Sequence, residues 1–361
     1  MCARRRKSVS GIKLVDCRHN SSKRSMESVN IKKLAKILNI SISTVSKALR
    51  DSHDISKETK EKVIALANEL NYQPNPHASS LRKAKSKTIA VIIPEIANNY
   101  FSLAINGIES IAQEKGYHVL IYLTHESYAK EVALMRLLHS GRVDGILISL
   151  SSTTTEYSHI EAVQGKGLPL VFFDRVSEQY DTVSITTDDY ESAFNATKHL
   201  IDQGCKKIAH LMISKHLSIG EKRLKGYLKA LEDHHLPVDE SLIVNCTNDD
   251  EADLQLIKNL LCDKKPDGIF AAVERYAIIA YQLCKQLNIS IPKDVKIISF
   301  SNLQTASLLN PSLTTITQPA FEIGKQAATI LFRALEEKRY QLKNEQIVFK
   351  SNLIQRDSTA R

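Results

Sequence analysis

The sequence predicts an α/β chain in which a small all-α head precedes a long region of parallel sheets. Three observations carry this. Basic charge concentrates before residue 88, short helical periods fill that same segment, and apolar strand-like runs alternate with amphipathic helical runs from Thr88 onward.

Residues 1–88 hold 20 Lys+Arg against 7 Asp+Glu, a balance of +13, whereas the remainder carries −4 of the +9 total. A basic module on a mildly acidic body is the footprint of a polyanion-binding head attached to a sensor or enzyme. The 361 residues, 43% hydrophobic and 25% charged, suit two or three compact domains. The six cysteines are scattered without a C-x-x-C pair or zinc spacing, so reduced thiols in a cytoplasm are expected, with no metal and no cofactor. No run approaches the roughly 18 consecutive apolar residues of a membrane span, and no apolar segment follows the basic N-terminus, so neither membrane insertion nor export is expected.

Residues 1–25 are basic with little apolar patterning and read as a disordered extension; Met26, just before the patterned segment, is an alternative start. A head is expected over residues 26–73. Ile31, Leu34, Ala35 and Leu38 recur at helical spacing after Asn30, a suitable N-cap. Asn39 tolerates the left-handed turn that follows, and Ser41 caps a second helix burying Val45, Ala48 and Leu49. Two helices joined by so short a turn are the helix-turn-helix plan. A third helix runs from Ser56 through Val63, Leu66, Ala67 and Leu70 to about Asn71-Tyr72. Residues 74–87 read as a hinge: Asn75 and Pro76 restart a very short helix, His77 to Arg82, before a lysine-rich linker.

From residue 88 to the end, seven strands are predicted at Ile89–Ile93, Val119–Leu123, Gly145–Ser149, Leu170–Asp174, Lys207–Met212, Gly268–Ala272 and Val295–Phe300. Helices are predicted between them, among them Tyr100–Lys115, Ala129–His139, Tyr190–Gln203, Lys222–Asp233 and Glu274–Asn288. Such alternation implies ligands beyond the carboxyl ends of parallel strands, and its length implies two lobes with a cleft. The glycines never form G-x-G-x-x-G, a Walker loop or G-x-S-x-G, so an enzyme is not expected.

The runs Val29-Asn-Ile-Lys-Lys-Leu-Ala-Lys, Ser43-Thr-Val-Ser-Lys-Ala-Leu49, Asp54-Ile-Ser-Lys-Glu-Thr59, Glu69-Leu-Asn-Tyr-Gln-Pro-Asn-Pro76 and Ser80-Leu-Arg82 resemble the head of the lactose/galactose repressor family. The resemblance continues through Gly107-Ile-Glu109, Val143-Asp-Gly-Ile-Leu147, Arg223-Leu-Lys-Gly-Tyr227 and Leu313-Thr-Thr-Ile-Thr-Gln-Pro319, and covers the chain from about Ser28 to Ser358. It implies a homodimer or tetramer that reads a pseudo-palindromic double-stranded DNA operator, usually to repress. It also implies an effector domain like the periplasmic sugar-binding proteins. The rival reading is a ligand-binding protein of the periplasmic type without regulatory DNA binding.

Within this resemblance Ile42, Ser43 and Lys47 are the expected base readers, Lys47 toward guanine and Ile42 toward a thymine methyl, while Thr44 and Ser46 hold phosphates and Arg50 lies on the same outward face. Asn75, Ser80, Leu81 and Arg82 belong to the hinge, whose Leu81 the family wedges into a minor-groove base step. In the cleft the family places a ligand-binding arginine at Arg223, apolar walls at Tyr100, Phe101 and Phe270, and a sugar-binding aspartate where this chain has Ser301. A further departure is Val273-Glu274 in place of the usual Asn-Asp. Asp174 and Arg175 line the cleft or form a structural ion pair. An always-charged Arg223 combined with loss of the aspartate leads to the expectation of an anionic effector, a sugar acid or phosphate ahead of a neutral sugar.

Overall fold

The computed structural model describes residues 30–72 and 86–360, apart from residues 139, 140, 178, 248 and 338. These fall into two compact units.

In the head, α1 (Ile31–Leu38), α2 (Ile42–Ala48) and α3 (Lys57–Glu69) each begin on a side-chain cap. Asn30 Oδ1 accepts from the Lys33 amide at 3.1 Å, Ser41 Oγ from Thr44 at 3.0 Å and Ser56 Oγ from Thr59 at 3.3 Å. Each bond satisfies an amide that the first turn leaves without a helical partner. Asn39 closes α1 at φ 49°, in the left-handed region that its short polar side chain tolerates. Leu34, Ala35, Val45, Ala48, Val63 and Ala67 form the core; Leu66 is only partly buried, and Leu70 caps α3 rather than extending it.

The larger unit contains two six-stranded sheets. The first is built from β1 (Thr88–Ile93), β2 (His118–Leu123), β3 (Gly145–Ile148), β4 (Leu170–Phe173), β5 (Val183–Thr187) and β11 (Glu345–Phe349), in the order β11-β5-β4-β3-β1-β2. The second holds β6 (Ile208–Met212), β7 (Ile243–Asn245), β8 (Gly268–Ala271), β9 (Lys296–Phe300), β10 (Thr314–Thr317) and β12 (Asn352–Ile354), in the order β12-β10-β9-β8-β6-β7. Every pairing is parallel except β10 with β12.

Successive residues face opposite sides of a strand, and the cores follow that period. Ile89, Val91 and Ile93 join the cluster under the helices Asn99–Glu114 and Ala320–Glu336, while Ala90 and Ile92 join Met135, Leu138 and Ile160 on the other face. The seven expected strands and the five expected helices are present, most of them shifted at an end by a residue or two; the helix expected at Lys222–Asp233 opens earlier, at Ser218. Strands β5, β7, β10, β11 and β12 were not foreseen, nor were the helices Ser158–Gln164, Asp250–Asn259 and Ala320–Glu336.

The order of strands takes the chain between the sheets three times, after β5, after β10 and after β11. The crossings bond to one another: Asp188 N donates to Phe349 O at 3.0 Å, Ser351 N to Asp188 Oδ1 at 2.8 Å, and Gln318 Nε2 to Thr187 Oγ1 at 2.9 Å. The three bonded crossings join the two sheets beside a cleft that residues at the carboxyl ends of both line.

Candidate DNA-reading face and ligand cleft

Helix α2 turns Val45 and Ala48 into the head's core, which leaves its other faces in water. Ile42 is 45% exposed, Ser43, Lys47 and Arg50 are exposed, and Thr44 and Ser46 are half-buried. Of the six expected contact residues, the five on α2 and Arg50 just past its end are all at least partly open to solvent. Ser41 Oγ sits 2.6 Å from Ser43 Oγ and 2.8 Å from Thr44 Oγ1. Arg50 folds back on its own helix, with Nε to Ser46 O and Nη2 to Ser46 Oγ, both at 2.9 Å.

Lys47 is ion-paired with Asp54, which also accepts from Ser52 Oγ. These two contacts hold the Asp54 carboxyl well below the usual carboxylate range. With the side chains 49% and 40% exposed, the pair remains open to exchange with an incoming phosphate or base. Asp54 was not singled out from sequence as a partner of Lys47. The hinge residues Asn75, Ser80, Leu81 and Arg82 lie outside the described residues.

In the sensor unit, Tyr100, Phe101, Arg223 and Ser301 converge on one cleft with Asp174, Arg175, Glu274, Phe300 and Gln318. The inner cavity encloses about 30 Å³ and adjoins one of about 520 Å³ that shares Asn98, Arg175, Val273 and Glu274. Arg223 reaches the cleft because Gly226, one turn on, lets the helix Ser218–Asp233 lie against Asp189–Asp202. A Cβ there would stand 2.2 Å from Tyr190 O.

Arg223 is only 2% exposed and fully engaged. Nε lies 2.8 Å and Nη2 2.7 Å from Asp189 Oδ1, Nη1 donates to Ala272 O at 2.6 Å, and the guanidinium lies 3.6 Å from the Phe300 ring centroid. Burial pushes Asp189 upward and Arg223 pulls it back. The cation therefore already has a buried carboxylate partner, so an always-charged Arg223 is not by itself a reason to expect an anionic effector.

Arg175 is likewise committed, through Nη1 to both Glu126 oxygens at 2.7 and 2.9 Å. Burial raises Glu126, but Arg175 outweighs it and leaves the carboxyl below its usual value. Asp174 follows β4 at φ 62°, a left-handed conformation that turns its side chain away from the strand's alternation. Burial pushes its pKa up to about 6 against the pull of Arg175 and Arg223. Tyr100 Oη is buried close to the Asp174 carboxylate, and burial together with the Asp174 and Asp189 charges raises its pKa well above the tyrosine norm.

Phe270 is the misplaced residue. It is 0% exposed and belongs to the cluster of Ala193, Tyr227, Leu231 and Phe300 beneath the cleft, stacked on His210 at 4.6 Å. A strand buried on both faces gives no sequence sign of which side a residue takes. Ser301, where an acid was expected, donates to Glu274 Oε2 at 2.8 Å, so the acid missing from one strand end is supplied from the next. The sequence signalled Glu274 only as a departure, and Asp189 not at all.

The model of bacterial regulatory proteins of the lacI family matches residues 30–75, and that of periplasmic binding proteins and the sugar-binding domain of the LacI family matches residues 86–356. The HTH-type transcriptional regulator DegA of Bacillus subtilis is 31% identical over 329 residues, covering 91% of this chain and 97% of the relative. The lac repressor dimer bound to operator and an anti-inducer shares the fold at a TM-score of 0.80, with 22% identity over 92% of this chain and 99% of that one. A LacI family regulator from Enterococcus faecium with bound ribose aligns at a TM-score of 0.65 and 26% identity over 76% of this chain and 98% of that one. The chain belongs to the LacI family of bacterial transcription regulators, with a DNA-binding helix-turn-helix head and an effector-binding domain.

Proposed function

We propose that this regulator works in the cytoplasm as a homodimeric repressor without catalytic activity, and that a small polyhydroxylated effector in the cleft controls its hold on an operator. Ile42, Ser43 and Lys47 read bases, and Thr44, Ser46 and Arg50 hold the backbone. The observation that carries the reading is the exposure of Ile42, Ser43 and Lys47 together on α2, the second helix of the helix-turn-helix, which is the helix that meets base edges in this plan.

The cleft suits a polyol because its polar groups present carboxylates, amides and hydroxyls between aromatic walls, and both arginines are already matched. Relatives that bind sugars support the same class. An effector that bridged the lobes would favour one hinge angle over another, and its differential affinity would set the shift in DNA binding.

Selection of DNA from a random library by the full chain tests the reading. A pseudo-palindromic consensus is expected, and Lys47→Ala should relax one symmetric position of it. An identical consensus from both proteins would remove Lys47 from the readers; no consensus from either would remove the operator-binding reading.

A further inference from the structure

Pairing the charges around the cleft leaves two carboxylates over. Arg175 is held by Glu126, Arg223 by Asp189, and Arg275, next to Glu274 in the chain, by Asp253 and by Asp250 at 3.6 Å. What remains is Asp174 from the first lobe and Glu274 from the second. Asp174 meets Ser149 Oγ at 3.5 Å and Arg175 Nε at 3.9 Å, both long contacts. Glu274 accepts from neutral donors: Asn99 Nδ2 of the opposite lobe at 2.8 Å and Ser301 Oγ at 2.8 Å.

Asp174 is buried with only a long contact to a cation and Glu274 is half-buried among neutral donors, so neither carboxylate has a close ion pair. Here they border a cavity, beside the rings of Tyr100 and Phe101, whose faces attract positive charge. Glu95 adds a further acid to the adjoining cavity. With Asp174 held at about 6, its carboxyl is ionised at neutral pH.

We propose that the cleft selects an effector carrying a protonated amine among its hydroxyls, with Asp174 and Glu274 answering the ammonium from opposite lobes and Glu274 determining the preference. This rests on the reading of the cleft as the effector site. An ammonium at Glu274 competes with Asn99 for Oε1 and replaces a neutral contact between the lobes with a charged one, which links recognition to lobe closure.

The test is calorimetry on the full chain with matched probes: glucose, glucosamine and glucuronate, then galactose, galactosamine and galacturonate. The amine of at least one set should bind about tenfold tighter than its neutral and acidic counterparts, as expected for a charge-assisted bond in place of a neutral one. Glu274→Gln should bring that margin close to unity, and Glu274→Asp should retain part of it. A neutral or acidic member that binds as well as the amine, a margin that survives Glu274→Gln, or a panel in which no amine binds overturns the proposal. The parent's ranking decides this even where a variant fails to fold. Neutral sugars that bind while amines do not leave the effector reading standing; failure of every probe, with ribose added to the panel, counts against both.

Discussion

The head and the sensor unit each hold a cation against an aspartate, and the two pairs do opposite work. Lys47 and Asp54 meet in water, seven residues apart in sequence, where screening makes the contact weak and readily exchanged. Arg223 and Asp189 meet in a site 2% and 1% exposed, 34 residues apart, where neither can be left alone without a large penalty. An exposed pair can be exchanged for another contact. A buried one fixes the shape and net charge of a cleft.

Breaking the buried pair should give the largest effect. Asp189→Ala leaves the Arg223 guanidinium buried without its carboxylate and should cost about 3–5 kcal/mol in urea unfolding. Replacing both residues, as Arg223→Met with Asp189→Leu, should cost less than the single change, because no charge is then stranded. A single-variant loss below about 1 kcal/mol would mean the pair behaves as an exposed one.

Asp174 sharpens the comparison, being a buried carboxylate with no full partner. Burial raises its pKa from 3.8 to about 6, so between those values the folded state binds more protons than the unfolded one. Stability from this group is therefore present below about pH 4 and is lost as pH rises through about 6. Asp174→Asn should match the parent at pH 4 and exceed it at pH 7 by up to about 3 kcal/mol, at about 1.4 kcal/mol per pKa unit. Parallel stability curves for the two proteins from pH 4 to 7 would contradict this.

In the head, Lys47→Ala should cost about 1–3 kcal/mol of operator affinity in a gel-shift titration, with unfolding unchanged. The smallest effect is expected from Asp54→Ala. Its melting temperature should match the parent's, while operator affinity rises slightly as Lys47 is released. A fall in affinity would show that Asp54 positions Lys47 for DNA rather than competing for it.

The difference between the regions also governs how much could be read in advance. In the head, Asn30, Ser41 and Ser56 cap the amides three residues on, and Asn39 makes its turn by its own tolerance of positive φ. These are local interactions, so residue type and spacing reveal them. In the sensor unit, apolar runs such as Ile89–Ile93 announced strands, but threonine-rich β10 did not, and neither did the edge strands β11 and β12, which present mixed polar faces. Resemblance located Arg223, Tyr100, Phe101 and Ser301 but could not supply the partners that decide their chemistry. Phe270 went astray because both faces of β8 are buried.

What the sequence by itself determined is therefore what short-range physics controls: the caps and core spacing of the head, the basic balance of +13 before residue 88, and the alternation that makes parallel sheets. What only the tertiary structure decided is the electrostatic character of the cleft. Arg175 and Glu126 are 49 residues apart, and Glu274 and Asn99 are 175 apart. The energy of a desolvated charge depends on what stands within a few ångströms of it in space, and chain order carries little of that information.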